Sequence, residues 1–307
     1  MDITSRPFSG SRDLELLKQF VMEIWADESY RSYLHMGDII WNIYQNTLFD
    51  PYRNIRLWQN TQSKLLGFAL FDIGRTDFSS WTQIHPGQQE NAALYNAMLA
   101  WLDERAAEER KEDPSKDLLY NNSYDDDAPL RDALLRHNYQ PGDIGMLYMY
   151  RELDGILLDP ALPQGWQVRH VAGEREFEER VAIHRDVWHP SRVTLQAYQR
   201  LRTIPGYTPE LDIVAVAPDG TFASYCICWL DPLNRCGEFE PVGTRAAFRG
   251  YGIGKAVMLE GLRRLQTSGA TSAIVNTHNG NDPARRLYES VGFHVIAEDR
   301  NYIKHLD

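Results

Sequence analysis

The stretch that decides the fold is Arg249-Gly250-Tyr251-Gly252-Ile253-Gly254, which stands between an apolar, strand-like run and an amphipathic helix. Glycine lets the backbone turn tightly and approach a ligand closely, so that consecutive N–H groups can point at an anion where a helix begins. Arg249 adds a planar cationic donor. The loop therefore predicts a cradle for a phosphate or a pyrophosphate.

Two better-known phosphate loops do not fit these residues. A P-loop that ends at Gly254-Lys255 would need glycine where Arg249 stands, and serine or threonine where Ala256 stands. The dinucleotide fingerprint would need one more residue before its last glycine. The spacing that remains is Arg-x-x-Gly-x-Gly.

The flanks of the loop predict strand, loop and helix. Residues 237–244 form the strand-like run, and Ala273-Ile274-Val275 predicts a second, buried strand. After that strand, Asp282 is expected to cap a helix that Pro283 begins. On the helix that follows the loop, the apolar positions are Ile253, Val257, Met258, Leu262 and Leu265.

The loop and the later pattern Asn281-x-x-Ala284-x-x-Leu287-Tyr288-x-x-x-Gly292-Phe293 together resemble the GNAT acetyltransferase superfamily, over about residues 166–307. The resemblance implies an α/β (α+β) fold, in which a mixed, twisted sheet flanked by helices is splayed between two central strands. It also implies acetyl-CoA as cosubstrate, with its pantetheine in the gap between the strands and its pyrophosphate on the loop amides.

The resemblance assigns the cofactor site to the end of the strand, the loop and Asn281. A backbone N–H near Val242 is expected to stabilise the oxyanion, while Gly243 and Thr244 pair with the pantetheine as an added strand would. Asn281 contacts the cofactor through its amide, or else serves only as a turn residue beside Gly280. The expected cofactor-binding residues are Val242, Gly243, Thr244, Arg249, Gly250, Tyr251, Gly252, Ile253, Gly254 and Asn281.

Acyl transfer from a thioester to an amine needs a proton acceptor, an oxyanion stabiliser and an acid for the departing thiolate. Glu238 and Glu240 lie two apart on the strand and so project from one face, where similar arylalkylamine acetyltransferases carry proton-accepting side chains. We expect Glu240 to be the base and Glu238 to relay the proton or bind the amine, unless the pair is only an exposed strand face. By resemblance, Tyr288 is the general acid; the alternative is a core tyrosine. The alternative bases are His184, His189 and His278.

The length of 307 residues predicts two domains. A weak repeat, offset by 154 positions, matches the run from Asp127 to Tyr139 with the run that ends at Gly292-Phe293. The first copy has Gln88-Gln89-Glu90-Asn91-Ala92-Ala93 in place of the glycine loop, and its acidic residue would repel pyrophosphate. We therefore predict a degenerate GNAT-like domain over 1–153, a linker over 154–165 and a catalytic GNAT domain over 166–307.

Composition excludes several classes of partner. With 43% hydrophobic and 24% charged residues and a net charge of −11, the chain is typical of a soluble enzyme and disfavours a nucleic-acid partner. No apolar run approaches the roughly 18 residues that cross a bilayer, and Met1-Asp2-Ile3-Thr4 does not resemble a signal peptide, so we expect no membrane partner and a cytoplasmic location. The cysteines, Cys226, Cys228 and Cys236, have no fourth ligand at finger-like spacing, and we expect no metal.

The acceptor is expected to be a small-molecule primary amine, bound by the variable segment at about residues 183–207. Its aromatic side chains would line a pocket or pack as core: Trp188, His189, Tyr198 and Tyr207. The tandem arrangement is similar to that of the mycothiol synthase type, which keeps a sugar-linked cysteine amine open as a substrate beside small amines, aminoglycosides and peptide N-termini. The alternative function is a non-catalytic acyl-CoA sensor or interaction scaffold.

Overall fold

The computed structural model describes residues 3–27, 34–124, 127–157, 159 and 162–306. Its helices are α1 Ser11–Asp27, α2 Met36–Tyr44, α3 Pro51–Asn54, α4 Ala92–Glu112, α5 Ala128–Arg136, α6 Phe177–Val187, α7 Leu195–Leu201, α8 Ile253–Thr267 and α9 Asp282–Ser290. Its strands are β1 Ile3–Pro7, β2 Ile55–Asn60, β3 Leu65–Ile73, β4 Phe78–Ile84, β5 Leu118–Tyr124, β6 Gln140–Glu152, β7 Gln167–His170, β8 Asp212–Val216, β9 Phe222–Asp231, β10 Cys236–Thr244, β11 Ser272–His278 and β12 His294–His305. No helix within these described ranges is both long and apolar enough to cross a membrane.

The chain forms two compact units. Unit 1 comprises residues 1–34, 49–147 and 297–307, and unit 2 comprises residues 35–48 and 148–296. Relative to the domain ranges expected from the sequence, helix α2 belongs with the second half, and the end of strand β12 belongs with the first. Residues 158, 160 and 161 of the expected linker lie outside the described residues.

Unit 1 contains a mixed sheet. Strands β1, β2, β3 and β4 pair antiparallel in sequence order, and β4 then pairs parallel with β5 at Phe78↔Leu119 and Ser79↔Tyr120. Residues 299–305 of β12 pair antiparallel with β5. Helices α4 and α5 contribute apolar side chains to the core of this unit, beside residues of β3, β4 and β5.

The strands of unit 2 repeat this pairing plan. Strands β7, β8, β9 and β10 pair antiparallel in sequence order, and β10 then pairs parallel with β11. The apolar face of α8 joins the core together with Cys226 and Cys228 of β9 and the aromatic ring of Phe239. Cys226, Cys228 and Cys236 are buried and free, and they pack as small hydrophobic residues. The predicted mixed α/β architecture is confirmed.

The internal repeat is visible in the caps of α5 and α9. Asp127 caps α5 by accepting from the N–H of Leu130, and Asn281, 154 positions later, caps α9 by accepting from the N–H of Ala284. The prediction that Asp282 is the cap is therefore wrong, because Asp282 is already the first helical residue. After each helix the chain turns through a left-handed residue, Asn138 in one copy and Gly292 in the other.

Candidate active site

The glycine loop has the backbone that its sequence predicts. Gly250 and Gly252 have φ angles of +82° and +77°, a region that side chains with a Cβ rarely adopt. A Cβ added at either position would meet nothing within 4 Å. These two glycines are therefore required by conformation, and the space beside them is open to a ligand.

Gly254 is required for a different reason. A Cβ there would lie 2.9 Å from Oγ1 of Thr244 and 3.4 Å from the side chain of Leu287. Contacts of that length are tighter than ordinary van der Waals packing, so a larger residue would push α8 away from β10 and α9. The third glycine lets the first turn of α8 approach the end of β10.

The start of α8 presents free backbone donors. Its first internal hydrogen bond runs from the N–H of Ala256 to the carbonyl of Gly252, so the N–H groups of residues 253–255 precede the helical ladder. Gly252 is the N-cap and supplies no side chain to satisfy them. Arg249 is exposed, and its Nε donates to the carbonyl of Thr244 at 3.1 Å, which ties the guanidinium to the end of β10.

Strand β10 separates from β11 partway along its length. The parallel pairing covers Cys236↔Ser272, Gly237↔Ala273 and Glu238↔Ile274, and it does not continue to the end of β10. On the other side, β10 remains paired with β9 as far as Thr244, except for a register shift between Phe239 and Val242. The edge of β10 that faces β11 is therefore left without a ladder from Phe239 onward.

The register shift places Glu240 and Pro241 in a bulge, and the buried indole of Trp229 holds it. Nε1 of Trp229 donates to the carbonyl of Glu240 at 2.6 Å. A bulge re-aims the side chains beside it and is common next to functional sites. The side chain of Glu240 is half-buried, whereas that of Glu238 is only 1% exposed.

Two residues from the first half of the sequence complete the group around Glu238. Nδ1 of His35 lies 2.9 Å from Oε2 of Glu238, and Asp38 interacts with the same carboxyl group. His35 is the N-cap of α2, and Asp38 accepts from the backbone N–H of His35. A Cβ on Gly37 would lie 2.4 Å from both Glu238 Oε2 and the Trp229 ring, so glycine allows α2 to pack directly on β9 and β10.

Burial and mutual repulsion make these carboxyl groups hold their protons. Burial, reinforced by the charge of Glu240, raises the pKa of Glu238 to about 8. Burial, reinforced by the charge of Asp38, raises the pKa of Glu240 to about 8 as well. The pKa of Asp38 is raised well above its ordinary value, by burial first and by the charge of Glu238 second. A carboxylate formed here is a stronger base than an exposed glutamate.

Tyr288 is buried on α9, and its hydroxyl makes no hydrogen bond to another described residue. Burial raises the pKa of this phenol, and the charges of Glu240 and Cys226 raise it further. Tyr288 is therefore protonated at neutral pH and lies within the electrostatic influence of Glu240. Its ring packs edge-on against Phe293, with ring centroids 6.4 Å apart.

Two further groups expected from the sequence have defined structural partners. The side-chain oxygen of Asn281 is occupied by the cap of α9, so only its NH₂ group remains for a ligand. The hydroxyls of Tyr198 and Tyr207 both donate to Asp212 Oδ2, at 2.6 and 2.8 Å, and Asp212 also pairs with the buried Arg180. These tyrosines are parts of a buried polar network, so the alternative that they pack as core is the one the structure supports.

The side chain of Trp188 is accessible to solvent. It is 48% exposed, while its Nε1 donates to the hydroxyl of Tyr225 at 2.9 Å. The ring stacks on His184, whose pKa burial lowers to about 3, so that this histidine is neutral. Tyr225 in turn closes on Gly243, where a Cβ would lie 2.6 Å from the phenol ring. The aromatic group therefore packs over the end of β10 at Gly243.

Sequence reasoning missed His35 and Asp38. The only local signal is their spacing, His35-x-x-Asp38, which is that of a capping box at a helix start. That signal predicts a helix and says nothing about the strand on which the helix packs. Glu238 is 203 positions away from His35, and tertiary folding alone brings the two together.

Known proteins resemble this chain in sequence and in fold. Residues 174–293 match the sequence model of the Acetyltransferase (GNAT) family. The mycothiol acetyltransferase of Kineococcus radiotolerans is 29% identical over 226 residues, which cover 71% of this chain and 70% of that protein. The chain spans about half the length of most other curated relatives that it matches, which bear the same name.

Solved structures share the fold over nearly the whole chain. A GCN5-related N-acetyltransferase from Sphaerobacter thermophilus superposes with a TM-score of 0.70 at 16% identity, covering 99% of this chain and 95% of that one. A tandem GNAT protein from the clavulanic acid biosynthesis pathway gives a TM-score of 0.68 at 14% identity, covering 99% and 98%. The glycine loop, both glutamates and Tyr288 all lie within the matched family segment. Residues 174–293 are therefore similar in sequence to the GNAT acetyltransferase family.

Proposed function

We propose that this protein is an acetyl-CoA-dependent N-acetyltransferase that acetylates a primary amine of a small molecule. The observation that carries the proposal is the parting of β10 from β11 after Glu238, beside an open glycine cradle at the start of α8. A ligand that is extended at one end and anionic at the other fits this arrangement. Acetyl-CoA has that form, and it supplies an activated acetyl group as a thioester.

The chain's own residues would hold the two parts of the cosubstrate separately. The unladdered edge of β10, which includes Val242, Gly243 and Thr244, offers backbone groups to the pantetheine amides. The pyrophosphate would lie on the N–H groups at the start of α8, where the helix dipole favours negative charge. Arg249 and the NH₂ group of Asn281 would add side-chain donors at this end.

Glu240 is the proposed base. It is half-buried, whereas Glu238 is enclosed by α2 and Trp229. An amine reaches the reaction as a cation, and a carboxylate beside it both attracts the ammonium and accepts its proton. Because the pKa of Glu240 is raised to about 8, it lies closer to the pKa of an ammonium group than that of an ordinary glutamate does.

The remaining roles fall to Val242 and Tyr288. The backbone N–H of Val242 is the proposed donor to the negative charge that develops on the acetyl oxygen. Pro241 before it has no N–H, which limits the donors at this point to the next residue. Tyr288, protonated and buried, is the proposed acid that gives its proton to the departing thiolate.

The names of the curated relatives indicate which class of acceptor to test first. The curated relatives described above are named mycothiol acetyltransferases, so the sugar-linked cysteine amine is the first of the proposed acceptors to test, beside small amines, aminoglycosides and peptide N-termini. Once it is ionised, the carboxylate of Glu240 favours a cationic acceptor.

The first experiment is a calorimetric titration of acetyl-CoA, followed by an amine screen that detects free thiol. Binding together with amine-dependent thiol release supports the enzyme. Binding without release for any amine supports the alternative of an acyl-CoA sensor or scaffold. Absence of binding by folded protein would remove the proposal.

Arg249→Glu is expected to weaken acetyl-CoA binding at least tenfold, or about 1.4 kcal/mol. The substitution replaces a cation at the cradle with an anion, and the exposed position leaves the core unchanged. Calorimetry on the variant measures the effect. Arg175→Glu, an equal charge change at an exposed position in the turn before α6, is the control. Equal affinities of both variants would contradict the anchor.

Tyr288→Phe is expected to lower kcat by about 100-fold and to leave the affinity for acetyl-CoA within about threefold. The hydroxyl has no hydrogen-bond partner among the described residues, so its removal breaks no internal bond. Steady-state kinetics with an amine that gives rapid thiol release in the screen measures kcat, and thermal unfolding checks the fold. A variant with unchanged kcat would assign Tyr288 to the core.

A further inference from the structure

Glu238 is the buried member of the glutamate pair, and its surroundings determine its protonation. Oε2 of Glu238 lies 2.9 Å from Nδ1 of His35. Oε1 is buried and has no hydrogen-bond partner among the described residues. An ionised carboxylate with one oxygen unsatisfied in the interior is costly, whereas a neutral carboxylic acid loses much less.

The second contact of His35 decides which of the two residues is the donor. The backbone N–H of Gly37 points at the same Nδ1 atom, at 3.1 Å, as the capping bond of α2. A proton on Nδ1 would face that N–H, donor against donor. Nδ1 is therefore a lone-pair acceptor, and the hydrogen between the imidazole and Glu238 belongs to the carboxyl group.

We infer that His35 is a positioning residue, which accepts a hydrogen bond from the neutral carboxylic acid of Glu238 and so leaves Glu240 as the carboxylate that meets the acceptor amine. The inference deepens the proposed function and rests on it for the role of Glu240. It assigns catalytic work to α2, a segment 203 positions before the strand that it supports. A proton held on Glu238 also removes like-charge repulsion that would oppose ionisation of Glu240.

The titratable groups around His35 and Glu238 are consistent with both residues being neutral. Burial lowers the pKa of the His35 imidazole, although the charges of Asp231 and Asp38 and the backbone of Cys236 oppose this. Around the glutamates, α2 contributes Asp38 and β10 contributes both Glu238 and Glu240. Facing Glu240 are the phenols of Tyr225 on β9 and Tyr288 on α9, which are protonated because their pKa values are raised.

Nitrogen-15 NMR of the imidazoles tests the inference without any activity measurement. In protein labelled at histidine, two-bond proton–nitrogen spectra report which ring nitrogen carries the hydrogen, and the signal lost in His35→Asn identifies His35. The expected result is a neutral ring with an unprotonated Nδ1 at neutral pH. A protonated Nδ1, in the cation or in the other tautomer, overturns the inference, even if the protein acetylates amines.

The pH dependence of kcat/KM separates positioning from a merely structural role. In His35→Ala, Glu238 loses the acceptor of its proton and ionises more readily, and its new charge raises the pKa of Glu240. The acid limb should therefore move to higher pH by up to about one unit. His35→Asn supplies an oxygen that can accept in place of Nδ1, and it should restore the limb. The positioning role of His35 would be overturned if kcat/KM of His35→Ala fell while its acid limb stayed at the same pH or moved to lower pH.

The two proposals can fail separately. If no amine is acetylated but the NMR result is as expected, Glu238 is still a neutral acid held by His35, and the proposed reaction is what fails. If turnover is found and Nδ1 carries a proton, the reaction stands and His35 instead donates to an ionised Glu238. Should His35→Ala fail to fold, the wild-type NMR measurement still decides the question.

Discussion

Glu240→Gln is expected to lower kcat by about 10²- to 10⁴-fold, because the amide cannot accept the proton of the amine. The wild-type kcat/KM should rise as the pH increases through about 8, where Glu240 ionises, and the residual activity of the variant should lack that limb. Affinity for acetyl-CoA should stay within about threefold, since the proposed cosubstrate contacts are made by other groups. Kinetics over a pH series and calorimetry provide the measurements.

Glu298→Gln, at an exposed position on β12, is the matched control and should retain wild-type kinetics.

The pH dependence of stability gives a second readout for Glu240. In the unfolded chain its pKa returns to the ordinary 4.5, against about 8 when folded. The folded state therefore binds more protons over this range, and the free energy of unfolding falls as the pH rises from 4.5 to about 8. Glu240→Gln should reduce this slope. Full activity in the variant would return the role of base to another group.

Gly252→Glu is expected to weaken acetyl-CoA binding by at least about 100-fold, or about 2.7 kcal/mol. Gly252 has a φ of +77° and caps α8, so a side chain there strains the backbone that presents the free N–H groups. The new carboxylate would also compete for those groups and repel a pyrophosphate. Calorimetric titration measures the loss.

Gly220→Glu is the control for strain and charge. Gly220 has a φ of +89° in the turn between β8 and β9, and a Cβ there also meets nothing within 4 Å. Both variants should be folded by circular dichroism, but only the Gly220 variant should bind with wild-type affinity. Equal binding by both would place the site elsewhere in the chain.

Local sequence was sufficient for the elements around the site. The positive φ angles of Gly250 and Gly252 are consistent with their sequence, because glycine adopts such angles at no steric cost. The strand, loop and helix at 237–267 and the buried strand at 272–278 follow from apolar periodicity, which a single segment carries within itself. The cap of α9 was misplaced by one residue, because Asn281 and Asp282 are both good capping residues and only geometry selects between them.

Aromatic residues were the less predictable part of the site. The sequence offered no reason to separate three aromatic residues of the variable segment. Tyr198 and Tyr207 reach the buried Asp212, whereas Trp188 remains half exposed. A hydroxyl can satisfy a buried carboxylate only if the chain brings the two together, and here that depends on how α7 and the turn after it lie against Asp212 at the start of β8. Periodicity does not report which partner a polar tip will find.

By itself, the sequence predicted a GNAT-like module in the second half, because its glycine loop and strand periodicity are properties of contiguous residues. Only the tertiary structure decided that residues 35–48 belong with this module and that His35 and Asp38 surround Glu238. The physical reason is that the protonation of a buried carboxyl group depends on what excludes water and on which charges lie nearby. Those neighbours are set by folding and can lie 203 positions away along the chain.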